Sequence, residues 1–233
     1  MSSPSILTPK NIFLFIPNLI GYARVILAAG SLAVMKHHPK ICTWLYAVSC
    51  LLDAFDGAAA RKFNQATRFG AILDMVTDRC TTSCLIIFLS LAYPSWIIAF
   101  QFLISLDLAS HYMHMYAMLN GGESSHKKVG KDKGWILNLY YTNTRVLFFV
   151  CAANELFFVA LYLFSFEPKT PPYLGYWGKI PLSYATFLGV FSFPTWLLKQ
   201  IINVIQMIHA AYTLAELDIE ERNKKNIESA KSK

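Results

Sequence analysis

Between residues 51 and 80 the chain reads LLDAFDGAAARKFNQATRFGAILDMVTDRC, and four of its seven aspartates fall within it. Their spacing is Asp53-x2-Asp56-Gly57-x2-Ala60-Arg61-x8-Gly70-x3-Asp74-x3-Asp78. At 100° per residue, Asp53, Asp56, Gly57 and Ala60 fall on one helical face, and Asp74, Asp78 and Thr81 fall on one face of the next helix. Each face therefore offers a pair of carboxylates. Both pairs adjoin strongly apolar segments, where ionised carboxylates are costly unless a positive charge compensates them. A divalent cation, or two, would remove that cost, and an all-oxygen set without Cys or His favours Mg2+ or Mn2+ over zinc or copper. Gly57 and Ala60 leave a face without bulk for a phosphorylated ligand to approach, and Arg61 is placed to meet phosphate as a planar fork. The competing reading of the four aspartates is helix capping or polar glue between membrane helices.

The elements that must position these residues are membrane helices. Hydrophobic residues make up 55% of the 233 positions and charged residues only 15%, far from the balance of a soluble surface. The pattern predicts a single all-α integral membrane domain over 1–233. Six spans are expected near 16–35, 41–60, 69–93, 95–119, 146–166 and 181–212, each close to the ~20 residues a bilayer requires. Residues 11–16, before Pro17, are expected as a short interfacial helix. The last span contains Pro194 and Lys199 and is expected to kink or to leave the membrane early, and the polar tail from about 215 to 233 is expected to fray or to continue the last helix into solvent. With a cytosolic N-terminus, fourteen Lys and Arg fall on the cytosolic side and four on the other, which places both termini and the aspartate stretch at the cytosolic face.

The formal charge of +7 does not point to nucleic acid, because the basic residues sit between apolar runs and in the tail without a basic, aromatic-interleaved stripe. Five cysteines lie in or beside apolar segments without C-x-x-C spacing and read as reduced packing residues. The first ten residues, MSSPSILTPK, lack the features of a cleaved signal peptide. In the first span, Asn18 and Arg24 form a donor pair. Arg24 is expected to face the bundle interior, paired with a carboxylate such as Asp107 or Glu155 or with a bound anion.

The eight-position aspartate signature resembles that of the CDP-alcohol phosphotransferase family, membrane enzymes of phospholipid synthesis. PNLIGYAR (17–24), LDMVTDRC (73–80), LDLASH (106–111), SHK (125–127) and NELFFVALYLF (154–164) are further similar to its eukaryotic phosphatidylinositol-forming branch. The resemblance implies a two-metal site with Asp53, Asp56, Asp74 and Asp78 as ligands and Asp78 as the general base. It also implies contacts from Gly57, Arg61 and Thr67 to the CDP part of the donor, whereas Gly70 is expected to serve close helix packing. CDP-diacylglycerol and myo-inositol are the implied substrates and CMP the product. A homodimer in the endoplasmic reticulum membrane is implied as well.

For the acceptor, Asp107, His111 and His114 share one face of the fourth span and with Ser110 could line a polyol pocket, although interhelical hydrogen bonding explains them nearly as well. Arg79, Ser125, His126 and Lys127 are further acceptor candidates. Two alternatives stand beside this reading. One is another family member with a choline, ethanolamine, serine or glycerol-phosphate acceptor. The other is a cation transporter, whose ion sites would sit near the bilayer midplane.

Overall fold

The computed structural model describes residues 8–129, 143–167, 176–177, 180–181 and 183–231. These form seven helices: α1 Pro9–Phe13, α2 Ile16–Val34, α3 Pro39–Lys62, α4 Arg68–Ala92, α5 Ile97–Val129, α6 Thr144–Phe164 and α7 Tyr184–Lys231. A two-residue antiparallel ribbon pairs Tyr176–Trp177 with Ile180–Pro181, a small addition to the all-α expectation. The chain divides into two compact units. One comprises Met1–Ile97 with Glu155–Gly189, the other Ile98–Asn154 with Val190–Lys233.

Five helices are long and apolar enough to cross a membrane: α2, α3, α5 with the turn before it, α6 and α7. α4, the third of the six expected spans, is a helix of 25 residues whose first half carries Arg68, Asp74, Asp78 and Arg79 and whose last turns, 84–92, are mostly apolar. Trp44, Leu91, Phe102 and Phe191 are between 72% and 74% exposed, an arrangement that suits hydrocarbon and would be costly for so many side chains in water.

Proline and side-chain caps set the helix boundaries. Prolines occupy the first turns of α1, α2 and α3, where the missing N–H would have no helical partner. At the other end of α3, Asn64 takes a left-handed conformation (φ 52°), the N–H of Gln65 donates to the Ala60 carbonyl, and that of Asn64 to the Arg61 carbonyl. This is a Schellman stop. Thr67 then opens α4 by accepting the Gly70 N–H at 3.0 Å. The α3–α4 connection is thus fully specified, and it is tied to α2 because Gln65 Oε1 accepts the Ile16 N–H at 3.0 Å. The expected interfacial segment is helical as α1, and it is held to α4 by an edge-to-face contact between Phe13 and Phe69.

In the first unit α2 packs along α3 and across α4. Its buried positions, Pro17, Asn18, Gly21, Arg24, Ala28 and Ser31, recur every three or four residues as a stripe of mostly small or polar side chains. Such a stripe lets membrane helices approach closely. A Cβ on Gly21 would lie 2.8 Å from Leu73 Cδ2. Deeper in the unit, Leu85, Ile86 and Leu89 of α4 and Phe158, Ala160 and Tyr162 of α6 are buried, and the Tyr162 hydroxyl donates to the Met35 carbonyl at the end of α2.

In the second unit Val150 and Ile202 form an apolar centre beside Asn154 and Gln200, whose side chains are hydrogen-bonded at 3.0 Å. Here the helical run of α7 passes through Pro194 and continues to Lys231, one of the two outcomes expected for the tail. At ~1.5 Å per residue it is about 70 Å long, more than twice the ~30 Å hydrocarbon layer, so its polar end extends beyond the bilayer. The tail expected from residue 215 is therefore a helical extension, with an exposed Glu221–Lys225 pair at 2.7 Å. All five cysteines are free thiols, as expected.

Gly70 gives a test of this packing. A Cβ there would meet Asn18 Oδ1 at 2.8 Å and Thr67 Oγ1 at 3.1 Å. Neither can withdraw freely, since Asn18 Nδ2 donates to the Ile12 carbonyl and Thr67 caps α4. Gly70→Ala should therefore destabilise the protein by about 1–3 kcal/mol, read as a lowered thermal midpoint in detergent. An unchanged midpoint would contradict the packing.

Candidate active site

The four signature aspartates converge. Asp53 and Asp56 lie in the last ten residues of α3, Asp74 and Asp78 in the first eleven of α4, and Arg24 of α2 stands among them. Its Nη1 lies 2.6 Å from Asp56 Oδ2 and 2.6 Å from Asp74 Oδ1. Its Nη2 lies 2.7 Å from Asp53 Oδ1 and 2.5 Å from Asp78 Oδ1. Each terminal nitrogen thus joins one carboxylate of α3 to one of α4. These are charge-assisted contacts in the geometry for which a planar guanidinium is suited.

Arg24 is 1% exposed, and its Nε is buried without a hydrogen-bond partner. Its height along α3 is set by Ser49, whose hydroxyl donates to the Arg24 carbonyl at 3.1 Å. Arg24 pairs with carboxylates of the bundle as expected, but its partners are the four signature aspartates in place of Asp107 or Glu155.

The carboxylates are not sealed. Side-chain exposure is 39% for Asp53, 44% for Asp74 and 36% for Asp78, against 12% for Asp56. Oxygen atoms of Asp53, Asp56 and Asp74 lie within 4.8 Å of one another. That span is about twice the ~2.0–2.6 Å oxygen distance of a hard divalent cation. The donor set is all oxygen and excess negative, since one guanidinium offsets one of four charges. These residues therefore fit a divalent cation.

The neighbouring candidates differ in kind. A Cβ on Gly57 would meet only the Arg61 guanidinium, at 3.6 Å, so chain packing does not require glycine there. Gly70, by contrast, is a packing glycine, as the sequence led us to expect. Arg61 is exposed at the end of α3, and Thr67 has its hydroxyl engaged as the α4 cap. Arg79 Nη2 stands 3.6 Å from Asp78 Oδ2.

Asp107 and His111 belong to the second unit. There the His111 Nδ1 is 2.8 Å from the Asp107 carbonyl, and Asn203 links Asp107 to Lys199 through contacts of 3.5 and 2.6 Å. Ser110 Oγ donates to the Asp107 carbonyl at 3.1 Å. This is the interhelical hydrogen-bonding arrangement, between α5 and α7. Ser125, His126 and Lys127 are helical in backbone, within α5, but their side chains lie outside the described residues.

The sequence names Glu155 only as a candidate partner of Arg24 and does not single out Gln65, yet both residues hold the site together. Gln65 ties the α3–α4 connection to α2, and Glu155 accepts hydrogen bonds from Tyr46 on α3 and Thr82 on α4. A lone glutamate in an apolar span was the available signal for the second. No local pattern marks the first.

The fold and the site together define a helical membrane protein with a partly open cluster of carboxylates that could hold a metal ion. The chain belongs to the CDP-alcohol phosphatidyltransferase family, whose model matches residues 14–141. It is 59% identical over 221 residues to a CDP-diacylglycerol--inositol 3-phosphatidyltransferase of Schizosaccharomyces pombe, covering 91% of this chain and 93% of the relative. The protein of the same name from Saccharomyces cerevisiae is 48% identical (97% of each chain), and that from Homo sapiens 47% identical (93% of this chain and 98% of the relative). No solved structure matches the chain.

Removing the guanidinium should expose the mutual repulsion of the carboxylates. Arg24→Gln should lower the stability of metal-free protein by about 3 kcal/mol, the lower end for a broken buried pair because three of the partners are partly solvated. Thermal unfolding in detergent reads this. Arg24→Lys should fall between the two, because an ammonium cannot fork among four carboxylates. Millimolar Mg2+ or Mn2+ should reduce the deficit of Arg24→Gln.

Proposed function

We propose that this chain transfers the phosphatidyl group of CDP-diacylglycerol to myo-inositol and releases CMP. The observation that carries the proposal is the convergence of Asp53, Asp56, Asp74 and Asp78 on one partly open point. The acceptor follows from relatives named for inositol that cover more than nine-tenths of the chain.

In this reading an inositol hydroxyl oxygen attacks the phosphorus that bears the diacylglycerol. A phosphorus–oxygen bond to inositol forms, and the phosphoanhydride bond to CMP breaks with its electron pair leaving on CMP. The hydroxyl proton passes to the Asp78 carboxylate, which stands at the end of the array with a third of its surface open. Asp53, Asp56, Asp74 and Asp78 hold Mg2+ or Mn2+, as two ions. When bound, such ions neutralise charge on the pyrophosphate and the departing phosphate.

Gly57 leaves room for the CDP backbone, Arg61 meets its phosphate from the rim of α3, and Thr67 lies at the start of α4 on the same side. Arg79 is the acceptor residue the geometry favours, through its proximity to Asp78. Asp107 and His111 are held by their own network in the second unit, which weakens the case for them as inositol ligands. The balance of basic residues supports a cytosolic site, and the family resemblance supports a homodimer in the endoplasmic reticulum membrane.

A cation transporter is disfavoured because the aspartates flank one connection, in the second half of α3 and the first half of α4, with Gly57 and Arg61 beside them suited to a nucleotide. Metal flux without nucleotide binding would restore that reading.

Purified, reconstituted protein with Mg2+ or Mn2+ should release CMP from CDP-diacylglycerol with inositol as acceptor. Failure to transfer to any alcohol would overturn the reaction class, and transfer to serine or glycerol 3-phosphate but never inositol would overturn the acceptor. Asp78→Asn should retain donor binding while kcat falls by about 10²–10⁴. Equal loss of binding and turnover would make Asp78 chiefly a metal holder. Gly57→Ala should keep the wild-type thermal midpoint, in contrast to Gly70→Ala, and bind CMP more weakly.

A further inference from the structure

Tyr46 of α3 and Thr82 of α4 are both 3% exposed, and both donate a hydroxyl proton to Glu155 of α6. Tyr46 reaches Oε2, and Thr82 reaches Oε1 at 3.0 Å. One carboxylate thus spans the two helices that carry the aspartates, with a separate oxygen for each helix.

The placement along the helices matters. Tyr46 precedes Asp53 by seven residues, two turns on nearly the same stripe, and Thr82 follows Asp78 by four, about one turn. The glutamate bridge therefore lies behind the aspartate site on the same pair of faces. It fixes both the separation and the rotation of α3 against α4. At the aspartate level that spacing is bridged by Arg24, whose contacts are with the carboxylates themselves. A cation arriving there competes with Arg24 for the same oxygens, whereas the Glu155 bridge shares none of them.

We infer that Glu155 is a positioning residue for the metal centre. By holding Tyr46 and Thr82 it sets the distance between the Asp53–Asp56 pair and the Asp74–Asp78 pair at which a divalent ion is bound. This rests on the proposal that the four aspartates hold divalent ions. The physical basis is general: groups that orient the ligands of a metal without touching it govern affinity, and their loss costs about 10–100-fold.

The test is direct Mn2+ binding to purified protein without substrate, counted by electron paramagnetic resonance, alongside the thermal midpoint. Glu155→Leu should weaken Mn2+ binding by about tenfold or more. Tyr46→Phe combined with Thr82→Val, which leaves the glutamate in place and removes only the two donors, should do the same. Glu155→Gln should stay within about threefold of wild type, because one hydroxyl can turn to accept from the amide while the other still donates. If Glu155→Leu fails to fold, the double variant decides.

Wild-type Mn2+ affinity in the double variant would overturn the inference. So would equal losses in Glu155→Gln and Glu155→Leu, which would mean that the negative charge and not the bridge is required. A wild-type protein that binds no Mn2+ would instead overturn the metal reading of the aspartates, an outcome distinct from either of these.

Discussion

One guanidinium set among four carboxylates is the interaction on which this molecule turns. Charges buried between apolar helices persist only when paired, and Arg24 pairs each of its terminal nitrogens with one aspartate from α3 and one from α4. The rest of the first unit can be understood as what that contact demands. The stripe of small and polar residues on α2 brings its backbone close enough to α3 and α4 for an arginine side chain to reach both. The Schellman stop at Asn64 and the Thr67 cap turn the chain so that the two aspartate pairs face each other across a short connection.

The pairing is electrically incomplete, and this is what makes it a site and not a structural lock. One positive charge cannot balance four negative ones, and three of the carboxylates keep a third or more of their side-chain surface open. A lock would be sealed and neutral. The excess carboxylate charge is what a divalent cation would offset, and Gly57 beside it has space that chain packing does not use.

Polar bridges recur through the two units because hydrophobic attraction does not hold helices together in lipid. Glu155 links α3 to α4, the Tyr162 hydroxyl caps the end of α2, and Asp107, Asn203 and Lys199 connect α5 with α7. These contacts are directional, so they fix rotation as well as distance. That property is what a site needs when its ligands come from separate helices.

The amino-acid sequence by itself determined the membrane class, the helical build, the two aspartate pairs and the family, because apolar length and helical spacing are local properties. It also separated Gly70 from Gly57 correctly as a packing residue. It placed Arg24 inside the bundle but could not choose its partner, since Asp107, Glu155 and the signature aspartates all lie far away along the chain. It could not find Gln65 or the Tyr46–Glu155–Thr82 bridge for the same reason: such contacts join residues up to 109 positions apart. Which polar group meets which is decided by how helices rotate against one another, and only tertiary packing fixes that rotation.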